Sequence, residues 1–471
     1  MDAHIWMGSR QVVTQCYTER LSPYDGRVVS RMAECSAEDA RQALQIAQKA
    51  SKIAKKVPLH QRCSWLLDVA AKLREQREEF ALTLCNEVGK PITYARVEVD
   101  RCIETITLSA ETMRTMHGET INTDAMASGR KAHAYWRREA VGVVVAITPF
   151  NFPLNLVAHK LAPALVAGNA VVLKPTPEAP LCAYKLAQLF IESPFATPDA
   201  LSVVYGDAEV GNALVTSDIP RVISFTGSVG IGNIITRNAG IKKISLELGG
   251  NAATYIDTSA DLDYAASRCA IGAFVNSGQV CISLQRIYVE SSIYDRFAAK
   301  IADTTAKLVV GSPYNDDTFL GPLINDEAAM RAMSWVESAM EEGARPLTIV
   351  HREGRIFYPC VMADVTESMK IVCEEVFAPI VSLVRVDGID DAIQRMNNSP
   401  YGLQFSLFTN NLAHATKVID ECEAGGVVIN DMPTLRFDIQ PYGGVKLSGV
   451  GREGPRFAIE EFSEIKSIVI L

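Results

Sequence analysis

No stretch of about 18 consecutive apolar residues occurs in this chain, so no transmembrane helix is expected. The first twenty residues carry Asp2, Arg10, Glu19 and Arg20 and lack the apolar core of a secretory leader. The eleven cysteines are irregularly spaced and contain no Cys-x-x-Cys pair, which argues against a zinc site or a disulfide framework. No metal is expected, and the compartment reads as reducing and cytoplasmic. Positive charge is not in excess: the formal net charge is −9, which disfavours nucleic acid or an anionic membrane as a partner. There is no internal repeat, low-complexity tract or long linker, which excludes repeat architectures.

What is present is bulk and alternation. At 471 residues the chain exceeds the size at which one core keeps growing, so two large domains and a small extra element are expected. A composition of 48% hydrophobic and 21% charged residues suits an α/β enzyme. Helical periodicity covers residues 37 to 56, after a Ser36 cap, then about 59 to 87 and 92 to 117. Residues 119 to 136 read as a hairpin whose shallow apolar content suggests pairing with another element or subunit. A continuous apolar strand follows at 141 to 147.

From there strands at 170 to 174, 201 to 205, 221 to 225 and 243 to 248 alternate with helices at about 154 to 167, 181 to 193, 208 to 217 and 229 to 239. Short apolar runs separated by helical segments of this kind imply βαβ units and a parallel sheet, with ligands outside the carboxyl ends of its strands. A second α/β set begins after Asn251, with strands at 252 to 256 and 284 to 290, helices at 262 to 276 and 292 to 308, and continues to about 430. An apolar alternation closes the chain from Ile465 to Leu471 and can extend a sheet elsewhere.

One stretch concentrates the chemistry: Phe274-Val275-Asn276-Ser277-Gly278-Gln279-Val280-Cys281-Ile282-Ser283. Cys281 reads as a nucleophile, and since a free thiol titrates near pH 8.5 the fold must supply a partner. Four further segments each follow an expected strand: Thr148-Pro149-Phe150-Asn151-Phe152-Pro153, Lys174-Pro175-Thr176-Pro177, the glycine-rich 225 to 232, and Glu247-Leu248-Gly249-Gly250-Asn251. Gly227, Gly230 and Gly232 do not have the Gly-x-Gly-x-x-Gly spacing, so the dinucleotide fingerprint alone is weak.

Taken together with Glu374-Glu375-Val376-Phe377-Ala378-Pro379, these segments resemble the motifs of the aldehyde dehydrogenase superfamily. The resemblance runs over nearly the whole chain in the family's order, including the 34-residue separation of Glu247 and Cys281. It implies an α/β fold with a Rossmann-like cofactor domain (residues 1–118 and 138–249), an α/β catalytic domain (250–430), and a small β oligomerisation element (119–137 and 431–471). It implies that Cys281 attacks the aldehyde carbon, that Asn151 and the Cys281 backbone N–H hold the oxyanion, and that Glu247 activates the water that releases the carboxylate. It also implies NAD or NADP as cofactor, NAD slightly ahead, held by Thr148, Pro149, Phe150, Lys174, Glu178, Gly227, Ser228, Gly232, Leu248, Glu375 and Phe377. Glu464 matches a carboxylate that some relatives use to relay protons to the base.

On the substrate side the resemblance is to members acting on lactaldehyde, glyceraldehyde 3-phosphate, phosphonoacetaldehyde or sulfonated aldehydes, and it singles out Arg101, His159, Val280 and Arg436. Arginine forks bind phosphate, sulfonate or carboxylate bidentately. Three departures stand out. Pro177 occupies the place where NAD-preferring relatives carry a glutamate, with Glu178 one residue on. Ala378 replaces a glycine. Val280 stands where several relatives that take doubly charged aldehydes have an arginine. The expected activity is oxidation of a small polar or anionic aldehyde, with a homodimer or homotetramer as the assembly. The alternatives are a CoA-acylating relative, disfavoured by Glu247; a cysteine hydrolase, for which none of the seven histidines has a recognisable context; and a non-catalytic binding protein on the same fold.

Overall fold

Two largely parallel sheets, each covered by helices, form the body of the chain; the computed structural model describes all 471 residues. The first sheet has eight strands, in the order Gly449–Val450, Lys243–Glu247, Val222–Thr226, Val143–Ile147, Ala170–Lys174, Leu201–Val203, Ile5–Met7 and Arg10–Val12. Its five central strands are parallel and the outer ones antiparallel. Val143–Ile147 and Ala170–Lys174 are unbroken apolar runs because helices bury both of their faces. Together with the helices they form a core cluster of 74 buried residues, including Trp65, Phe80 and Phe190.

After Val143–Ile147 the chain winds outward through Ala170–Lys174 and Leu201–Val203. It then crosses back to place Val222–Thr226 on the other side of Val143–Ile147. The strand order reverses between these two neighbours, so the loops after Ile147 and after Thr226 emerge side by side over a crevice. Such a crevice is the usual ligand position in an open α/β sheet.

The second sheet runs Arg345–Pro346, Cys360–Ala363, Ile380–Val386, Leu284–Glu290, Ala252–Ile256, Gln404–Phe408 and Gly426–Ile429. Between Ala252–Ile256 and Leu284–Glu290 lies the helix Leu262–Phe274, capped at its start by Asp261, whose carboxylate accepts from the amides of Asp263 and Tyr264. It ends earlier than the periodicity suggests, in a tight turn Val275–Gly278 where Asn276, Ser277 and Gly278 all have positive φ, at 53°, 56° and 71°. Glycine is required at Gly278, since an added Cβ there would sit 2.2 Å from the Ala378 carbonyl oxygen. This turn delivers Cys281 to the crevice.

Several expectations change. The helix expected over 59 to 87 is two helices, Leu59–Glu75 and Arg77–Val88, broken where Gln76 turns to φ −101°, ψ 18°. The first 33 residues, for which no element is expected from the sequence, contain five short strands. Arg10–Val12 pairs with Ile5–Met7, and Tyr17–Leu21 and Asp2–Ala3 with Val28–Ala33, while Ile5–Met7 also joins the distant strand Leu201–Val203. The hairpin and the tail do not leave each other's edges open: Ser463–Ile470 pairs antiparallel with His133–Ala140, in register from Ser463↔Ala140 to Ile470↔His133. Residues 431 to 454, expected with the hairpin and the tail in one element, lie apart from them. Gly449–Val450 returns to pair with Leu246 and Glu247, which brings this segment to the crevice. No helix is long and apolar enough to cross a membrane.

Candidate active site

A cavity of about 470 Å3 opens between the two sheets, and Asn151, Glu247, Val280 and Cys281 are all on its wall. Cys281 lies three residues past the positive-φ turn, with its Sγ 3.0 Å from the hydroxyl of Tyr442. Burial pushes its thiol up to about 12, against the hydrogen bond from Tyr442, which favours the thiolate. The resting nucleophile is therefore a protonated thiol. Val280 packs with Ile282, Leu403 and Tyr442, so the immediate surround of the sulfur is apolar.

Asn151 is fixed through its backbone. Its carbonyl oxygen accepts from Lys90 Nζ at 2.7 Å and from Asn276 Nδ2 at 3.3 Å, while its Oδ1 accepts from the Phe152 amide at 3.1 Å. Its Nδ2 is left as a donor to the cavity. Lys90 is in turn ion-paired with Glu98, both fully buried. Glu98 also accepts from the amides of Leu154 and Asn155 at 2.9 and 3.2 Å. A long helix thus anchors the loop that carries Asn151.

Glu247 ends its strand with both carboxylate oxygens buried and without a hydrogen-bond partner. Burial, then the charge of Glu453, pushes its carboxyl well above the usual range. Glu453, which accepts from Lys160 at 3.2 Å and from Arg436 at 3.2 Å, is held low, at about 2, by those cations against its burial. Two neighbouring carboxyls are thereby driven apart, Glu247 upward and Glu453 downward, the pattern of an acid/base pair. The second carboxylate is Glu453 and not Glu464: Glu464 is exposed on the outer strand Ser463–Ile470, opposite Glu139.

Arg101 and Arg436 reach the cavity wall; His159 does not. His159 lies behind it, with Nε2 3.0 Å from Asp438 Oδ1. Burial and Arg436 lower its pKa, so it is neutral and donates to Asp438. Arg101 grips Asp438 with two bonds of 2.8 and 2.7 Å. Arg436 lies 3.7 Å over the ring of Tyr442.

The far end of the cavity is lined by Phe150, Thr226, Gly227, Ser228, Leu248, Gly249, Glu375 and Phe377. Ser228 caps the helix Val229–Asn238, and the hydroxyl of Thr226 is buried without a partner. Glu375 accepts from the Gly250 amide at 3.0 Å, and burial pushes it up to about 7. Phe150 and Phe377 meet edge to face at 5.9 Å. An open helix N-terminus, unpartnered hydroxyls and a glycine strip beside a carboxylate fit the phosphates and ribose of a dinucleotide. Thr148, Pro149, Lys174, Glu178 and Gly232 are off this wall. The Thr148 hydroxyl is buried and unpartnered. Lys174 is buried among charges of Glu178 and Asp207. Gly232 packs its helix onto Leu248, where a Cβ would come within 2.6 Å.

Sequence reasoning missed Tyr442, Glu453, Asp438 and the Lys90–Glu98 pair. Tyr442, Glu453 and Asp438 have no local spacing signal, because each meets its partner only through the return of residues 431 to 454; Lys90 and Glu98 are eight residues apart, in a loop and the helix Ile92–Thr115 after it, and nothing in that spacing marks them as buried.

Comparison with known proteins agrees with this geometry. The sequence profile described as "Aldehyde dehydrogenase family" matches residues 9–468. A 3-sulfolactaldehyde dehydrogenase from Priestia aryabhattai is 43% identical over 453 residues, 96% of this chain and 94% of that one. The crystal structure of aldehyde dehydrogenase 21 from Physcomitrella patens, in complex with its reaction product succinate, matches with TM-score 0.97 at 35% identity over 100% of this chain and 98% of that one. An NADP-dependent glyceraldehyde-3-phosphate dehydrogenase from Bacillus halodurans, complexed with NADP, matches with TM-score 0.97 at 34% identity over 100% and 99%. A cysteine, a buried carboxyl and an unengaged amide around one cavity, on a chain aligned almost end to end with these enzymes, establish that it belongs to the aldehyde dehydrogenase family as an NAD(P)-dependent aldehyde oxidoreductase.

Proposed function

We propose that this chain oxidises a small polar or anionic aldehyde to its carboxylate through a thiohemiacetal and a thioester on Cys281, and that water releases the product. The observation that carries the reading is Glu247, whose two buried, unpartnered carboxylate oxygens share a cavity wall with Cys281. A carboxyl left without protein partners at that place is suited to take a proton from water.

In this mechanism the Cys281 sulfur attacks the aldehyde carbon once its proton has left, and the Tyr442 hydroxyl donates to the thiolate. The new oxyanion accepts from Asn151 Nδ2 and from the Cys281 backbone amide. Ser228, Leu248, Glu375 and Phe377 would hold a nicotinamide dinucleotide, which when bound would supply the acceptor for the hydride that leaves that carbon. Glu247, ionised, then takes a proton from water, whose oxygen adds to the thioester carbon. The C–S bond breaks and Cys281 is restored as thiolate. Glu453 is the neighbour through which the proton on Glu247 can pass outward. Thr148, Pro149, Phe150, Gly227 and Gly232 shape the nucleotide crevice, and Lys174 and Glu178 hold the adenosine ribose. A carboxylate beside Lys174 repels a 2′-phosphate, which supports NAD over NADP.

Arg101 and Arg436 attract the substrate's polar end. Ile465, Val469, Ile470 and Leu471 expose 54 to 83% of their surface on the tail strand, which supports assembly into a homodimer or homotetramer through that sheet.

The test is the formation of reduced nicotinamide from NAD and NADP in turn, without coenzyme A, over a panel of lactaldehyde, sulfolactaldehyde, glyceraldehyde 3-phosphate and succinate semialdehyde. Turnover without coenzyme A is expected, with NAD preferred. A strict need for coenzyme A would favour the acylating alternative, and full activity in Cys281→Ala would remove the mechanism.

A further inference from the structure

The cationic wall of the cavity is less cationic than its arginines suggest. Asp438 lies behind it, with a side chain 3% exposed and off the cavity surface. Arg101 spends Nε and one N–H of Nη2 on the two oxygens of Asp438, leaving Nη1 and the second N–H of Nη2 for a ligand. Arg436 has its Nε 3.7 Å from Asp438 Oδ1, and that nitrogen is buried without a hydrogen-bond partner. Its Nη2 donates to Glu453 at 3.2 Å. Lys90 is tied to Glu98, and Lys160 to Glu453.

Charges in the ion-paired wall beside the nucleophile therefore sum to a small number. Within it Lys90, Arg101, Lys160 and Arg436 are four cations against the three anions Glu98, Asp438 and Glu453; outside it, Arg452 donates to the Gly444 and Gly451 carbonyls, and Glu375 lies toward the nucleotide end. One positive charge is left over, on the guanidinium edges that face the cavity. Val280, beside the cysteine, adds none.

We infer that Asp438 limits the substrate to a single negative charge, by neutralising half of the Arg101/Arg436 pair from behind the wall, so that the anionic group is a sulfonate or carboxylate and not a phosphate or phosphonate dianion. The inference rests on the anionic-aldehyde reading above and deepens it. A monoanion takes the surplus charge and leaves Glu247 free to ionise for the hydrolytic step. A dianion places a second charge beside Glu453 and Glu247. Like-charge contact of that kind costs several kcal/mol and also holds Glu247 protonated, so it weakens both binding and release. Asp438 touches no substrate and acts through the arginines, as a positioning residue.

Sulfoacetaldehyde and phosphonoacetaldehyde test this directly, because they share a two-carbon aldehyde and a tetrahedral oxyanion and differ by one charge at mildly alkaline pH. With the wild-type enzyme, kcat/KM for the sulfonate is expected to exceed that for the phosphonate by about a hundredfold or more, the ratio that a like-charge cost of this size gives. Asp438→Asn is expected to narrow that ratio at least about tenfold, mainly through KM, relative to uncharged glycolaldehyde as internal reference. A general loss of packing would lower all three substrates together and leave the ratio alone. Equal use of both anions by the wild type, or an unchanged ratio in folded Asp438→Asn, overturns the inference; if the variant does not fold, the wild-type ratio alone decides. Turnover of glycolaldehyde with neither anion accepted overturns the anionic reading itself, and the inference with it.

Discussion

The hydroxyl of Tyr442 sits 3.0 Å from the sulfur of Cys281, while the guanidinium of Arg436 lies 3.7 Å over the opposite side of the same residue, on its ring. Tyr442 thus couples the nucleophile to the charged cluster. Its hydroxyl donates once the thiol has lost its proton and so favours the thiolate, in opposition to the burial that keeps the thiol protonated.

Removing that donor is expected to make the nucleophile a weaker acid. Tyr442→Phe keeps the ring under Arg436 and deletes only the hydroxyl. A hydrogen bond to a charged group contributes about 1.5–3 kcal/mol, so alkylation of Cys281 by iodoacetamide at a fixed pH is expected to slow about tenfold or more. Rates measured against pH without cofactor check this. In the wild type the rate should climb through the alkaline range, and the variant's curve should lie at higher pH. Superimposable curves would show that the hydroxyl does not stabilise the thiolate.

The base is expected to have its own signature. Glu247 must be ionised to accept a proton from water, and burial and the Glu453 charge oppose ionisation. Thioester hydrolysis should therefore rise with pH along a limb displaced upward from the ordinary carboxyl range. Glu453→Gln removes the like charge and leaves Lys160 and Arg436 nearby, so the limb should move to lower pH. Glu247→Gln should release about one equivalent of reduced nicotinamide per site and then turn over roughly 100- to 10,000-fold more slowly, the usual contribution of a general base. Single-turnover traces separate the burst from hydrolysis. A Glu453→Gln limb that stays in place would contradict the assigned coupling.

A third expectation concerns stability and site geometry together. Lys90 and Glu98 are fully buried, and between them they hold the Asn151 carbonyl and the amides of Leu154 and Asn155. Lys90→Met leaves Glu98 without its counter-charge, which costs about 3–5 kcal/mol for a buried pair. Urea unfolding should record that loss. At temperatures where the variant stays folded, kcat should fall as well, because the oxyanion donor on Asn151 loses its anchor. A variant as stable as the wild type would show that the pair is not the support it looks to be.

The legible parts of the fold were those where local pattern and tertiary burial agree. Strands at 170 to 174, 252 to 256 and 284 to 290 coincide with Ala170–Lys174, Ala252–Ile256 and Leu284–Glu290, because central parallel strands are bounded, continuous apolar runs. Asn151, Glu247 and Cys281 were legible through motifs at strand ends, and they do share one cavity wall. The break at Gln76 was not, since no proline or glycine marks it. Nor was the choice between Glu453 and Glu464. Both are carboxylates in the last thirty residues, and only the pairing of Gly449–Val450 with Leu246 and Glu247 brings one inward while the strand Ser463–Ile470 carries the other outward. His159, expected among the substrate-binding residues, lies behind the cavity wall against Asp438, because sequence conveys no depth.

The cofactor end offers a separate test at Gly249. A Cβ added there would lie 2.5 Å from Oε2 of Glu375 and 3.0 Å from its carboxyl carbon, so Gly249→Ala must push the carboxylate aside. Moving it breaks the 3.0 Å bond from the Gly250 amide and shifts the acceptor proposed for the nicotinamide ribose. Loss of a hydrogen bond to a charged group costs about 1.5–3 kcal/mol, so KM for NAD is expected to rise about tenfold or more. Cys281 is reached from the other end of the cavity, and its alkylation in the absence of cofactor should be unchanged, as should KM for the aldehyde at saturating NAD. Steady-state kinetics with each substrate varied in turn, beside the alkylation rate, distinguish this from a general disturbance. An unaltered KM for NAD would mean that Glu375 does not hold the cofactor, whereas parallel losses in all three measurements would mean that the glycine serves the packing of the whole crevice.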